Sequence, residues 1–151
     1  MDYESNEEFH QKKFFGMLDE LKTINTRKSS YQYGLGYSNL AFELWLLLHK
    51  DYNFTALAHR KNYIDPINKA YGTKFERMKD NKHKEPFDKL LSQISLQDVI
   101  RAINVAEKIR NIQVANGNSM ADYKGFRYFR DNPDLTVNEC IKWVFMECGI
   151  V

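Results

Sequence analysis

The stretch that decides the fold class is Leu-Ala-Phe-Glu-Leu-Trp-Leu-Leu-Leu, at residues 40–48. Wound into a helix, these side chains are apolar nearly all round, which is typical of a helix that is buried on every side. The stretch therefore predicts a helix over about 39–50 at the centre of the core, with Ser38 as its N-cap. A protein with such a core segment belongs to the helical or mixed fold classes.

Outward from this helix, apolar residues recur at helical spacing on both sides. They predict helices at about 6–24, 53–60 and 96–114, short helices beginning at Asp65 and Pro86, and a last helix from Val137 to Gly149. Capping boxes are expected at Ser5–Glu8 and Thr136–Glu139, and Ser95 with Asp98 is expected to begin the helix at 96–114. The helix after Asp65 is expected to continue past Gly72 to Met78.

Residues 119–130 allow two interpretations. Ser119 and Asp122 could cap a helix, whereas Gly125 among several aromatic residues favours a pair of strands. No internal repeat and no linker rich in Pro, Gly or Ser divides the chain. The sequence predicts one compact, all-α, multi-helix domain over residues 1–151, with at most a small hairpin near 123–129.

The charge distribution indicates possible partners, and the lengths of the apolar runs indicate the compartment. The net charge of the 151 residues is +2, and residues 59–90 carry nine basic and five acidic side chains, so any field that attracts anions would come from the middle third. No apolar run approaches the ~20 residues of a membrane helix, and residues 1–4 do not open a signal peptide. We expect a cytoplasmic protein without a membrane partner.

Two cysteines, Cys140 and Cys148, lie eight positions apart in the last predicted helix. Their Cα atoms would be about 12 Å apart there, whereas a disulfide needs less than about 7 Å. They are expected to be reduced, unpaired and buried on the apolar face that they share with Val137, Ile141 and Val144.

The strongest candidate for a binding surface is a polar row on the long predicted helix. Its members recur at i, i+3, i+7 and i+10: Arg101, Asn104, Lys108 and Asn111. They share one face opposite the apolar side of that helix. Arginine and lysine neutralise phosphates, and asparagine bonds base edges or sugars. An ordinary solvated helix face produces the same row, so nucleic-acid binding by these residues is a hypothesis.

A second candidate is the segment Tyr-Gln-Tyr-Gly-Leu-Gly-Tyr-Ser-Asn at residues 31–39. Tyr33 and Tyr37 could stack on bases beside glycines that admit a close backbone approach. The alternative is a turn whose tyrosines pack at the edge of the core. Two basic residues of the middle third, Arg60 and Lys61, complete the candidate nucleic-acid contacts.

Enzymatic signatures are weak. Glu7-x-x-His10 has the spacing of one half of a di-metal site, but no second copy exists in the sequence, so neither a metal nor a cofactor is expected. Arg77 and His83 fit only loosely the Arg/His spacing of helical ribonucleases of the HEPN class. A ribonuclease is therefore kept as the third hypothesis.

The last helix carries Trp143 and Met146 away from its apolar side, where they could contact a protein partner or another helix of the same domain. The sequence therefore favours a small, non-enzymatic regulatory or inhibitory protein that binds a nucleic acid or a nucleoprotein complex. Accessory proteins of phages and mobile elements are commonly of this type. The alternative is a protein-interaction module, such as an immunity or assembly factor.

Overall fold

The computed structural model describes residues 8–27, 33–39, 41–51, 57, 59–77, 84–131 and 133–150. Six helices lie in these residues: α1 (Glu8–Thr26), α2 (Glu43–Leu48), α3 (Ile64–Tyr71), α4 (Lys84–Leu91), α5 (Leu96–Ala115) and α6 (Val137–Glu147). Four short strands accompany them: β1 (Ser38–Asn39), β2 (Ala121–Tyr123), β3 (Phe126–Tyr128) and β4 (Asp134–Leu135). The fold is thus mostly helical, but all-α is too narrow a class, because the prediction allowed for the hairpin of β2 and β3 and not for the pairing of β1 with β4. None of the described helices has the length and apolarity that crossing a membrane requires.

Helix α2 is the centre of the main core, as its composition predicts. All six of its residues are buried, and it packs against α3 and α5. Apolar side chains of α5 cover one side of it, among them Ala102, Val105 and Ala106. The helix is shorter than the predicted 39–50, because Ser38 and Asn39 form a strand and Ser38 caps nothing.

A second, smaller core is aromatic. Phe14 and Leu18 of α1 pack against Tyr37 and Tyr128, with the Phe14 and Tyr128 rings 5.2 Å apart at their centroids. This cluster attaches α1, which ends two residues later than predicted, to the strands. The predicted capping box at 5–8 includes residues 5–7, which lie outside the described part of the chain.

The first sheet joins two distant segments. β1 pairs antiparallel with β4, with Ser38 opposite Leu135 and Asn39 opposite Asp134. The Asn39 side-chain amide donates to the carbonyls of Phe129 and Arg130, at 3.2 and 2.9 Å. The pairing fixes the loop before α2 on the segment that leads into α6.

The second sheet is the hairpin of β2 and β3, close to the hairpin predicted near 123–129. Its turn places Lys124 and Gly125 at φ values of 55° and 93°, a left-handed pair that suits a two-residue hairpin loop. Lys124 also forms an ion pair with Asp19 of α1, at 2.6 Å from nitrogen to oxygen. The hairpin is therefore held on α1 by charge as well as by the aromatic cluster.

Two predicted boundaries are wrong around α3 and the preceding segment. α3 begins at Ile64 and ends at Tyr71; the following Gly72 takes a left-handed conformation with φ 63°, so the helix does not continue to Met78. A 3-10 turn, Arg60–Tyr63, leads into it. The helix predicted at 53–60 falls mostly on residues outside the described ranges.

α5 begins where Ser95 and Asp98 predict it, and the two residues form a capping box. The Ser95 hydroxyl accepts from the Asp98 backbone N–H at 3.2 Å, and the Asp98 carboxylate accepts from the Ser95 N–H at 2.9 Å. Asp98 is also bound by Lys50 at 3.0 Å and by Arg101 at 2.9 Å. The donors of Ser95 and Lys50 hold the pKa of the Asp98 carboxyl well below its usual range.

Asp98→Asn is expected to lower the free energy of unfolding by about 1–3 kcal/mol at pH 7, because charged acceptors make the stronger hydrogen bonds. A carboxyl whose folded-state pKa is lowered contributes stability above its unfolded pKa, near pH 4, and loses it as pH falls. The difference between wild type and variant should therefore shrink by pH 2–3 in urea unfolding. Asp65→Asn, at an exposed position in α3, is the control; an equal Asp98→Asn difference at both pH values would contradict the prediction.

α6 corrects three expectations. The Thr136 side chain makes no capping bond to the helix; its hydroxyl donates to the Leu35 carbonyl at 2.7 Å and accepts from the Tyr37 N–H at 3.1 Å. Cys140 and Cys148 are free, as predicted, but exposed instead of buried. Only a narrow strip of the helix packs on the core, formed by Val137, Ile141 and Phe145.

Candidate nucleic-acid interface

The polar row of α5 faces away from the core. Asn104, Lys108 and Asn111 are exposed, while Ala102, Ala106 and Ile109 of the same helix are buried on its other side. Neighbours three or four positions apart on a helix lie about 5–6 Å from one another at Cβ. The three exposed members therefore form a continuous strip about 10 Å long.

Arg101, the first member of the row, differs from the other three. It is partly buried, and its guanidinium donates to Asp98 at 2.9 Å, within the network that caps the helix. Its charge is therefore largely offset by a carboxylate one turn away. The row presents its positive charge through Lys108, which forms no ion pair with any residue in the described ranges.

At its C-terminal end the row leads into a cavity of about 450 Å³ between α5, the hairpin and the start of α6. Asn111 and Val114 of α5 line one side, and Phe126 and Arg127 of β3 line another. The remaining lining residues are Leu35, Arg110, Met120, Gly125, Phe129, Thr136 and Glu139. The polar row therefore continues from a flat strip into a concave part of the surface.

Arg127 reaches this surface because β3 alternates. Phe126 and Tyr128 turn toward the aromatic cluster, so Arg127 between them is exposed. Asp122 lies opposite Arg127 across the hairpin, but its carboxylate accepts from the Gly125 N–H at 3.1 Å and forms no ion pair with Arg127. Within the described residues Arg127 has no charged partner, so it adds a second available cation.

The neighbouring carboxylates are already neutralised. Glu107 of α5 binds Lys142 of α6, with 2.6 Å between the charged atoms. Glu139 forms an ion pair with Arg110, whose Nε also lies 3.2 Å from the Oδ1 atom of Asp134. Glu107 and Glu139 therefore cost the surface little of its attraction for anions.

A buried network supports the floor of the cavity. The Tyr37 hydroxyl donates to Asp134 and accepts from the Phe129 N–H at 2.9 Å. Burial raises the pKa of the wholly buried Asp134 carboxyl, while Tyr37 and Arg110 act in the opposite direction. Burial, followed by the charge of Asp134, raises the pKa of Tyr37 as well. The network fixes Arg110 and Phe129 at the cavity wall.

The tyrosine segment is mainly structural. Tyr37 is wholly buried, so its ring has no exposed face on which a base could stack, and its interpretation as a nucleic-acid contact is wrong for this structure. Tyr33 is half exposed, and its N–H is bound by the Asn25 side chain at the end of α1, at 2.8 Å. Tyr33 is not among the residues that line the cavity.

The two basic residues before α3, Arg60 and Lys61, also differ in their surroundings. The Arg60 guanidinium donates to the buried Glu43 at 3.0 Å. The carboxylate offsets its charge, so Arg60 is a weak candidate for phosphate binding. Lys61 is exposed and stays a candidate. The two residues belong to the 3-10 turn, which contacts α2, and neither lines the cavity beside α5.

The remaining predicted positions fall elsewhere. Trp143 and Met146 are 62% and 59% exposed on α6, as their spacing predicts. Arg77 is exposed and His83 lies outside the described residues, so their pairing cannot be placed. Across the part of the chain that is described, no three His, Cys, Asp or Glu residues are grouped to hold a metal ion.

Sequence reasoning missed Arg127 and the cavity. Arg127 had a signal in the alternation Phe126-Arg127-Tyr128, which exposes the arginine once the segment is accepted as a strand. The cavity had none, because Leu35, Asn111 and Thr136 approach one another only through long-range packing.

The fold and this surface together define a small, mostly helical domain with a polar, partly basic face. A family model described as RloB-like protein matches residues 2–142 of the chain. The chain belongs to this RloB-like family. No curated protein and no solved structure matches it.

Proposed function

We propose that this protein binds a nucleic acid, alone or within a nucleoprotein complex, and that it acts as a regulatory or inhibitory protein, not as an enzyme. One observation carries the proposal. The exposed row of Asn104, Lys108 and Asn111 continues into a cavity that is also lined by Arg127. Amides beside unpaired cations are the groups that contact base edges and phosphates in nucleic-acid complexes.

The charge balance of the surface supports this function over binding to a basic partner. Lys108 and Arg127 keep their charge available, whereas Glu107 and Glu139 are each held by a cation. A phosphate backbone would therefore meet a small positive field with carboxylates already neutralised. With two such cations among the described residues of this surface, binding should be modest and strongly dependent on salt.

The proposal predicts that removal of either cation, Lys108 or Arg127, removes one phosphate contact. Lys108→Ala and Arg127→Ala should each weaken binding roughly uniformly across sequences and reduce the slope of log affinity against log salt by about one unit. Asn104→Ala should instead change the preference among sequences if its amide contacts a base. Fluorescence anisotropy with labelled DNA and RNA oligonucleotides at several salt concentrations measures both effects.

Lys69→Ala is the control, because Lys69 is an exposed lysine on α3, outside the α5 surface. It should leave the salt slope unchanged, and all variants should keep wild-type stability within ~0.5 kcal/mol. Unchanged affinity of the Lys108/Arg127 double variant at low salt would exclude this surface. Lys61→Ala would then test the remaining basic candidate.

A second candidate function is favoured by α6. Trp143 and Met146 are large, exposed side chains on the side of the helix opposite the strip that packs on the core. Tryptophan is enriched among the residues that dominate binding at protein interfaces. The alternative proposal is a protein-interaction module, such as an immunity or assembly factor, that uses this face.

Affinity capture from native lysate, with and without nuclease, separates the two functions. A partner that is lost on nuclease treatment and on Lys108→Ala supports nucleic-acid binding. A stoichiometric protein that survives nuclease and is lost on Trp143→Ala supports the interaction module. The third hypothesis, a ribonuclease, requires RNA cleavage by pure protein that His83→Ala abolishes.

A further inference from the structure

The cavity beside Asn111 has features that a phosphate site would not need. Its volume of about 450 Å³ is within the range of small-molecule pockets, and it lies between three separate elements of the fold. A stacked duplex cannot enter a space of this size, whereas one nucleobase can. The cavity, which is open to solvent, is therefore a place where part of a nucleic acid could leave the surface strip and contact the protein.

The cavity is lined by both apolar and polar side chains, a combination that suits a flat, uncharged ring. Leu35, Val114, Met120 and Phe126 provide apolar contact, and Phe129 is buried behind them. The Thr136 hydroxyl is already used by the Leu35 carbonyl and the Tyr37 N–H. Apolar walls with a few polar groups are how proteins hold bases that have left the stack.

The charge of Arg110 is not available to an anion inside the cavity. Arg110 is held by Glu139 and lies beside Asp134, so its positive charge is offset by two carboxylates. Arg110 therefore offers little net attraction to a phosphate within the cavity. A base carries no charge, so it does not need that attraction.

Asn111 supplies a polar group for the edge of such a base. Its side chain lies at the junction of the row and the cavity, is exposed, and makes no hydrogen bond within the described part of the protein. An asparagine amide offers both a donor and an acceptor, the pair that adenine presents on its N6/N7 edge. Lys108, one turn away, and Arg127 are placed for the flanking phosphates.

We propose that this cavity receives an unpaired nucleobase, so that the partner is single-stranded or locally unpaired nucleic acid. The proposal rests on the proposed function and specifies its ligand class. Phosphates bind along Lys108 and Arg127, and one base enters between α5 and the hairpin, where Asn111 bonds its edge.

The experiment measures anisotropy with labelled 12-nucleotide single strands of DNA and RNA and with duplexes of the same sequences. Single strands should bind about tenfold more tightly than duplexes, since one enclosed base contributes that order of affinity. Val114→Trp, which places a large ring at the cavity mouth, should remove most of this preference. Asn111→Ala should reduce affinity for single strands by a larger factor than affinity for duplexes.

Leu96→Trp is the matched control, because Leu96 is an exposed apolar residue at the other end of α5 and does not line this cavity. Thermal unfolding checks that each variant is folded, and Asn111→Ala provides a second test if Val114→Trp is not. A single strand with 2-aminopurine gives a direct signal, since its fluorescence changes when its base leaves the stack.

Two outcomes overturn the proposal in distinguishable ways. If single strands and duplexes bind equally, and both respond to Lys108→Ala, the base-binding cavity is wrong while nucleic-acid binding stands. If neither form binds at low salt, both proposals fail.

Discussion

Asp134→Ala is expected to destabilise the protein by about 3–5 kcal/mol in urea unfolding at neutral pH. The carboxylate is wholly buried, accepts from the Tyr37 hydroxyl and forms an ion pair with Arg110. Its removal leaves a buried hydroxyl without its acceptor and a guanidinium without its buried partner. Each of these losses carries a desolvation cost in addition to the lost attraction.

Glu139→Ala is the control for this prediction. Glu139 contacts the same guanidinium of Arg110, but its side chain is 57% exposed. Exposed ion pairs contribute little, so the variant should lose no more than about 1 kcal/mol. A loss for Asp134→Ala as small as that of Glu139→Ala would show that the buried network does not stabilise the fold.

Leu47→Ala is the second substitution for which we expect a large effect, a loss of about 2–5 kcal/mol. Leu47 is buried in α2 at the centre of the main core, so truncation leaves a cavity that the neighbouring helices fill only in part. Leu96→Ala makes the same chemical change at a position that is half exposed and should cost less than about 1 kcal/mol. Thermal and urea unfolding of both variants measure the contrast, and equal losses would contradict it.

Local patterns predicted the elements that local forces determine. The apolar residues of α2 and the reciprocal bonds of Ser95 and Asp98 at the start of α5 are interactions within a few residues, so the sequence shows them directly. The hairpin was open between two interpretations because its short strands carry aromatic residues that also suit a helix. Its glycine and lysine turn decides the matter in the folded chain.

Long-range pairings were not predictable in the same way. Tyr37 and Arg60 resemble surface contacts in the sequence, yet their partners are Asp134 and Glu43, residues that only the tertiary fold brings near them. Cys140 and Cys148 were placed inside because they share an apolar periodicity with Val137. Since α6 packs at the edge of the domain, only a narrow strip of it is covered and the cysteines are left outside.

The candidate site shows the same contrast between features that local patterns predict and features that long-range packing creates. Asn104, Lys108 and Asn111 were predicted to be exposed because their positions relative to the α5 core side can be counted along a helix. The cavity needs the loop before β1, the hairpin and the start of α6 to meet, which no helical count contains. Whether the site binds nucleic acid stays a prediction for the experiments above.

The pairing of β1 with β4 has a consequence for how the chain reaches this structure. Tyr37 and Asp134 are 97 positions apart, and closing a loop of that length costs about 4 kcal/mol of chain entropy before its contacts form. Contacts so distant in sequence raise the contact order and slow folding relative to a simple helical bundle. During synthesis, the Tyr37 hydroxyl has no acceptor at Asp134 until every described helix except α6 has been made. A ribosome-bound chain that stops before residue 134 is therefore expected to hold its N-terminal aromatic residues in an incomplete core.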